Sequence, residues 1–201
     1  MNVHSLGGFM SKKESDKRQR ILESAEKLIA EVGFQGLSMN RLAKDAGVAA
    51  GTIYRYFEDK DHLLDEVRID VMRRVATEVQ KDLDESTDVK QRYRQAWFNI
   101  WHLAESNASS FSSRLQYDSL PCSDFYRKRK QELQLFSKVN QIFDDGKEQG
   151  IFKPLANEIL AGLTFEACAT ISRKNAMGLY VLSPQDIEAA FNASWDAIIN
   201  H

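Results

Sequence analysis

Apolar residues recur at three- and four-residue intervals along most of this chain, the spacing that gathers them on one face of a helix. The first stripe, Ile21, Leu22, Ala25, Leu28 and Ile29, predicts a helix from Asp16 to Val32. Gly33 ends it, and Phe34 with Leu37 plugs a small core. Between Ser38 and Lys60 the pattern shortens. Leu42, Ala43 and Ala46 mark one brief helix, with Ser38 placed as its N-cap and Gly47 able to take a positive φ past its end. Ala49 to Phe57 marks a second. Two short helices joined by a tight glycine turn make a helix-turn-helix unit, whose second helix can lie in a DNA major groove.

Longer stripes follow. Leu64, Val67, Val71, Val75 and Val79 predict a helix from Asp59 to Leu83, long enough to belong to both a head and a body. Thr87 or Asp88 opens the next, carrying Tyr93, Ala96, Trp97, Ile100, Trp101 and Ala104. A short helix is expected from Ser109 to Tyr117, and Pro121 then breaks the chain before a long one from Cys122 to Gln149. That helix carries Phe125, Leu133, Phe136, Val139, Ile142 and Phe143, and Gly150 caps it. Leu155 to Ala176 is apolar over most of its circumference. The last helix starts clearly, with Ser183 as cap, Pro184 in the first turn and Asp186 returning to the cap. The sum is an all-α chain of about nine helices. The organisation expected is a disordered extension over 1–14, a three-helix helix-turn-helix head over 15–60 and a helical bundle over 61–201.

Composition narrows the picture. The 201 residues are 43% hydrophobic and 28% charged, as in ordinary globular proteins, and ten Gly with three Pro favour helices over many-turned β architecture. No run approaches the roughly 18 to 20 apolar residues of a membrane span. The N-terminus is not basic-then-apolar, and Cys122 and Cys168 stand far apart, so neither a disulfide framework nor a metal site is expected and a cytoplasmic location is. The net charge is −2, yet residues 1–60 hold ten Lys/Arg against eight Asp/Glu while the remainder holds seventeen against twenty-one. That is the direction of a DNA-reading head on an acidic body. Lys12, Lys13, Lys17, Arg18 and Arg20 lead into the first helix, either as a solvated basic end or as phosphate contacts. There is no G-x-S-x-G, Walker loop or H-E-x-x-H, and His4, His62, His102 and His201 are scattered, so neither an enzyme nor a cofactor is expected. Asp144-Asp145-Gly146 lacks the later ligands of a calcium loop.

The run Leu42-Ala43-x-x-Ala46-Gly47-Val48-x-x-Gly51-Thr52-Ile53-Tyr54-x-Tyr56-Phe57-x-x-Lys60-x-x-Leu63 resembles the DNA-binding signature of the TetR family of transcriptional regulators. It covers the first third of the chain, and the rest fits the family in length and helical pattern. Read as residues, Ile53 and Phe57 belong to the core, whereas Thr52 and Tyr54 face outward. Tyr54 and Tyr56 suit phosphate and thymine-methyl contacts, and Arg55 is a base-edge or phosphate donor. Gly51 leaves room for close backbone approach. Lys60 opposes the dipole of the helix it opens, by typically about 0.3–1 kcal/mol, and a phosphate at that terminus would reverse the sign. The resemblance implies that Thr52, Tyr54 and Tyr56 touch DNA and that Asn40 and Arg41 sit where the preceding helix meets it. Ala49 departs from the serine frequent in the family, which removes a cap.

The resemblance also implies a homodimer built on the last two helices, through Leu160, Leu163, Ala167, Ile171, Ile187, Phe191 and Trp195. The other reading buries both helices within one subunit. Two heads would read an inverted-repeat operator, and the body would enclose a pocket for a small-molecule effector. Its candidate residues are Trp97, Trp101, His102, Glu105, Phe111, Tyr117, Phe136, Phe143, Phe165 and Glu166, with Asp118 beside them. Glu166 fits a counter-ion for a cationic ligand or a rim position at the dimer interface. The function expected is a ligand-responsive DNA-binding transcriptional regulator. It would be a repressor released from a palindromic operator when a small, largely apolar molecule binds. The alternatives are a ligand-sensing helical dimer without a DNA role, or an activator with the same head.

Overall fold

The computed structural model describes the backbone of residues 12–106 and 125–200. The expected short helix from Ser109 to Tyr117, the break at Pro121, Cys122, and the pocket candidates Phe111, Tyr117 and Asp118 lie outside the described residues, as does most of the expected 1–14 extension. Every described element is helical, apart from an isolated antiparallel bridge between Phe152 and Ile199. The chain forms two compact units, one reaching to Asp70 and one starting at Val71.

The first unit holds α1 (Lys12–Val32), α2 (Met39–Asp45), α3 (Ala50–Tyr56) and the first half of α4 (Lys60–Val79). α1 begins at Lys12, ahead of the expected Asp16. Its stripe of Ile21, Leu22, Ala25, Leu28 and Ile29 is buried, as are Leu37, Leu42, Ala46, Ile53 and Phe57. α2 packs on both α1 and α3. The turn between α2 and α3 is a Schellman motif: Val48 N–H donates to the Ala43 carbonyl at 3.0 Å and Gly47 N–H to that of Lys44 at 3.3 Å. Gly47 takes φ +64°, a value that glycine reaches without a Cβ clash. Ser38 occupies the N-cap position of α2, but its side chain makes no capping bond, contrary to expectation. Ala49 leaves α3 equally uncapped. The cap at α4 is Asp59, whose Oδ1 accepts from the His62 amide at 2.8 Å.

The second unit holds α5 (Val89–Ser106), α6 (Phe125–Leu135), α7 (Ser137–Glu148), α8 (Asn157–Ala161), a π turn (Gly162–Glu166), α9 (Ala167–Ala176) and α10 (Pro184–Ile198). Asp88 caps α5 by accepting from the Gln91 amide at 2.8 Å. The capping box at Ser183 and Asp186 forms as the sequence indicates. Tyr93 is the hub of the core. Its ring lies 5.1 Å from Phe165, 5.2 Å from Trp195 and 6.0 Å from Phe191, and its hydroxyl bonds Ser194. Burial pushes the Tyr93 phenol and the Cys168 thiol far up, so both stay neutral.

Two expected helices are not continuous. The long helix predicted from Cys122 to Gln149 breaks at Phe136, where φ −100° and ψ 30° leave the helical region. The helix predicted from Leu155 to Ala176 contains the π turn, a widened i→i+5 segment of the kind often found beside functional sites. Asp145 is engaged structurally, its Oδ2 lying 2.7 Å from Nη1 of the buried Arg92.

Candidate functional site

In the first unit, α3 is anchored from one side only. Ile53 and Phe57 are completely buried, and the Arg18 guanidinium lies 5.4 Å from the Phe57 ring while pairing with Glu66. The opposite side turns Tyr54 out to 55% exposure, with Arg55 and Gly51 also exposed and Thr52 and Tyr56 half-buried. A helix held at Ile53 and by Phe57 just past its end presents the residues between them, which is the arrangement a groove-reading helix needs. Gly51 has no atom within 4 Å of where a Cβ would stand, so open space lies over that backbone.

The outward cations are held by local carboxylates. Arg55 lies 3.5 Å from Glu14 of α1, Arg41 lies 2.9 Å from Glu31, and Lys27 lies 3.6 Å from Asp45. Such exposed pairs are weak enough for a polyanion to displace. Asn40 and Arg41 are exposed at the start of α2, and Lys60 is half-buried at the start of α4. The structure therefore brings Thr52, Tyr54, Arg55 and Tyr56 together on one helix.

In the second unit a cavity of about 250 Å³ opens between α6 and α7 on one side and α8 with the π turn on the other. Its walls are largely apolar: Val79, Ile100, Leu133, Phe136, Val139, Phe143, Ala161 and Phe165. Glu132, Asn140, Asn157, Glu158 and Glu166 supply the polar edge. The π turn carries Phe165 and Glu166, so two adjacent residues both reach the cavity.

Of the pocket candidates, Phe136, Phe143, Phe165 and Glu166 line this cavity. The others that are described do not. Trp97 and Trp101 are buried and stacked on each other at 5.6 Å. His102 and Glu105 are exposed, and Glu105 accepts from the Trp101 indole at 2.9 Å. Sequence reading passed over Glu132, Asn140, Asn157 and Glu158, because polar residues on an amphipathic helix read as its solvated face.

The dimer candidates divide in the same way. Leu160 is 0%, Phe191 2% and Trp195 8% exposed, so the protomer's own core already covers them. Ala167, Ile171 and Ile187 are half-buried. Leu163 and Ile159, each 50% exposed, remain on the surface. No helix among the described residues is long and apolar enough to cross a membrane, and no cluster of His, Cys, Asp or Glu among them is placed to hold a metal ion.

An exposed second helix and a glycine-closed turn, in a chain with a second helical unit, define a helix-turn-helix protein. Comparison with known proteins gives the family. Residues 21–67 match the model described as bacterial regulatory proteins, tetR family, and residues 88–199 match the tetracyclin repressor-like C-terminal domain. An HTH-type transcriptional regulator of Haemophilus influenzae is 31% identical over 94% of this chain and 99% of its own. The structure of a TetR family transcriptional regulator protein from Vibrio parahaemolyticus is 55% identical, covers 92% of this chain and all of that one, and superposes with a TM-score of 0.84. That of a TetR-family regulator from Haemophilus influenzae is 30% identical over 94% of this chain, with a TM-score of 0.82. The chain belongs to the TetR family of transcriptional regulators. It is a transcriptional regulator with a DNA-binding head.

Proposed function

We propose that the protein is a homodimeric, cytoplasmic repressor that leaves an inverted-repeat operator when a small, largely apolar molecule enters the body cavity. The observation that carries the DNA part is the division of labour on α3. Ile53 and Phe57 fix the helix, and Thr52, Tyr54, Arg55 and Tyr56 are left for the groove. Asn40, Arg41, Gly51 and Lys60 complete the contact set, with Lys60 and the arginines on phosphates and Tyr54 nearest the bases. The effector part draws support from the apolar cavity with its few polar groups, the usual chemistry of a small-molecule site. The dimer part draws support from Ile159 and Leu163, large apolar side chains one helical turn apart that the protomer leaves uncovered.

The test is selection of genomic fragments by the purified full-length protein at low salt, followed by sequencing. The expected result is an enriched inverted repeat with half-sites about 10 base pairs, or a multiple of that, between centres. Recovery of no such repeat overturns the reading.

A further inference from the structure

Phe136 interrupts the helical ladder between α6 and α7, and a side chain from another element fills the interruption. Gln80, the residue after α4, inserts its carboxamide there. Nε2 donates to the Leu135 carbonyl at 2.8 Å and to the Ala76 carbonyl, in the last turn of α4, at 3.0 Å. Oε1 accepts from the Lys138 amide at 2.9 Å and from the Val139 amide at 3.4 Å. In an unbroken helix Lys138 would donate to Gln134 and Val139 to Leu135. Gln80 takes over the bonds that the break gives up, and a side chain wedged into an i→i−4 ladder is a recognised cause of a sharp helix break.

The end of α4 is also gripped from α5. Asn99 Nδ2 donates to the carbonyls of Val79 and Lys81 at 3.0 and 2.8 Å. Val79, Phe136 and Val139 all line the cavity. The cavity wall, the helix break and the terminus of α4 are therefore built from a handful of mutually bonded residues, and α4 runs without interruption back to Lys60.

We propose that Gln80 is the positioning residue that couples the body cavity to α4. This deepens the regulator reading above and rests on it. A molecule that displaces Phe136 or Val139 reshapes the break, and the break cannot change without re-aiming the Gln80 carboxamide and the last turn of α4 bonded to it. A carboxamide suits the task because it donates and accepts at once, so both sides of the break move as one.

Coupling between two sites is reciprocal, so DNA bound at the head must change the cavity's affinity for a ligand by the factor by which that ligand changes DNA affinity, and under this proposal that change passes through the break. The test therefore needs no effector. Amide hydrogen exchange across residues 137–140 is measured on the full-length protein, free and bound to a duplex carrying the inverted repeat recovered from the genome. In the unaltered protein the duplex should change exchange at Lys138 and Val139 by about 5- to 150-fold, the usual span of allosteric coupling. Gln80→Leu should speed exchange at the same amides in the free protein and remove the DNA-dependent change while the duplex still binds. Duplex binding with unchanged exchange in the unaltered protein overturns the proposal, whatever the stability of the variant. So does a Gln80→Leu protein that keeps the DNA-dependent change. Failure to bind any duplex is a different outcome, and overturns the regulator reading together with this one.

Discussion

Glu14 on α1 stands 3.5 Å from the guanidinium of Arg55 on α3, a carboxylate occupying a partner position that a DNA phosphate would need. Glu14→Gln should therefore raise affinity for operator DNA, by no more than about fivefold, since an exposed ion pair is worth about 0–1 kcal/mol. The gain should shrink as salt is added, because screening already weakens the competing pair. Fluorescence anisotropy on a labelled duplex across a salt series reads both effects. Unchanged affinity at low salt would remove Glu14 as a competitor.

Lys60 and Tyr54 should separate affinity from selectivity. Lys60→Ala is expected to weaken binding to all duplexes alike and to lower the salt slope by about 1. Tyr54→Ala should instead reorder preference among duplexes that differ at one base pair. A Lys60→Ala protein with the original slope would sink the phosphate role.

Glycine substitutions should part stability from DNA binding. A Cβ at Gly146 would stand 2.1 Å from Cδ2 of the buried Phe152 ring. Gly146→Ala should cost about 1–3 kcal/mol by overpacking, lowering Tm by about 2–4 °C for each kcal/mol. At Gly51 nothing lies within 4 Å, so Gly51→Ala should leave Tm unchanged or raise it, helix propensity adding up to about 0.5–1 kcal/mol of stability. If DNA approaches that backbone closely, the same variant binds it less tightly. Differential scanning calorimetry beside anisotropy tells the two effects apart.

The Arg92–Asp145 pair should show in acid. Hydrogen bonds from Gln141 and then Arg92 hold the Asp145 carboxyl below its usual value. A depressed folded-state pKa stabilises the fold above the ordinary Asp value of about 3.9, and that stabilisation disappears as pH falls through the lowered value. Asp145→Asn should thus lower Tm at neutral pH, with the gap to the unaltered protein closing below about pH 4. A gap that stays constant down to pH 3 would show that the pair contributes nothing through ionisation.

The helical stripes were legible in the sequence because burial enforces their period: Ile21 to Ile29 on α1, Tyr93 to Ala104 on α5 and Phe191 to Ile198 on α10 all face inward. The helix-turn-helix was legible through Gly47, whose positive φ few other residues tolerate. The break at Phe136 was not, because Leu133, Phe136, Val139 and Phe143 keep helical spacing across it. The side chain that fills it belongs to Gln80, 55 residues away from Leu135, where no local pattern records it. Periodicity also says which face of a helix is covered but not by what. Phe191 and Trp195 fit either a partner's surface or the protomer's own core on spacing alone, and in this protomer the core around Tyr93 covers them. Within the cavity the aromatic members were legible and the carboxamides were not, since Asn140 and Asn157 have no signature apart from polarity.

The π turn at Gly162–Glu166 has a consequence for how this domain tolerates change in length. A π turn holds more residues per turn than the α-helix around it, so removing one residue there can restore regular winding without breaking the helix. The shortened chain would leave what lies beyond it close to its present orientation, because four residues of α winding turn nearly as far as five of the wider π winding. The surface displayed by Ala167–Ala176 would therefore stay where it is, and only the bulge that carries Phe165 and Glu166 would be drawn in. A single codon lost from this segment would reshape the cavity wall and leave the protomer's outer face as it was, whereas the same loss from the regular helix beside it would turn everything beyond by about 100°.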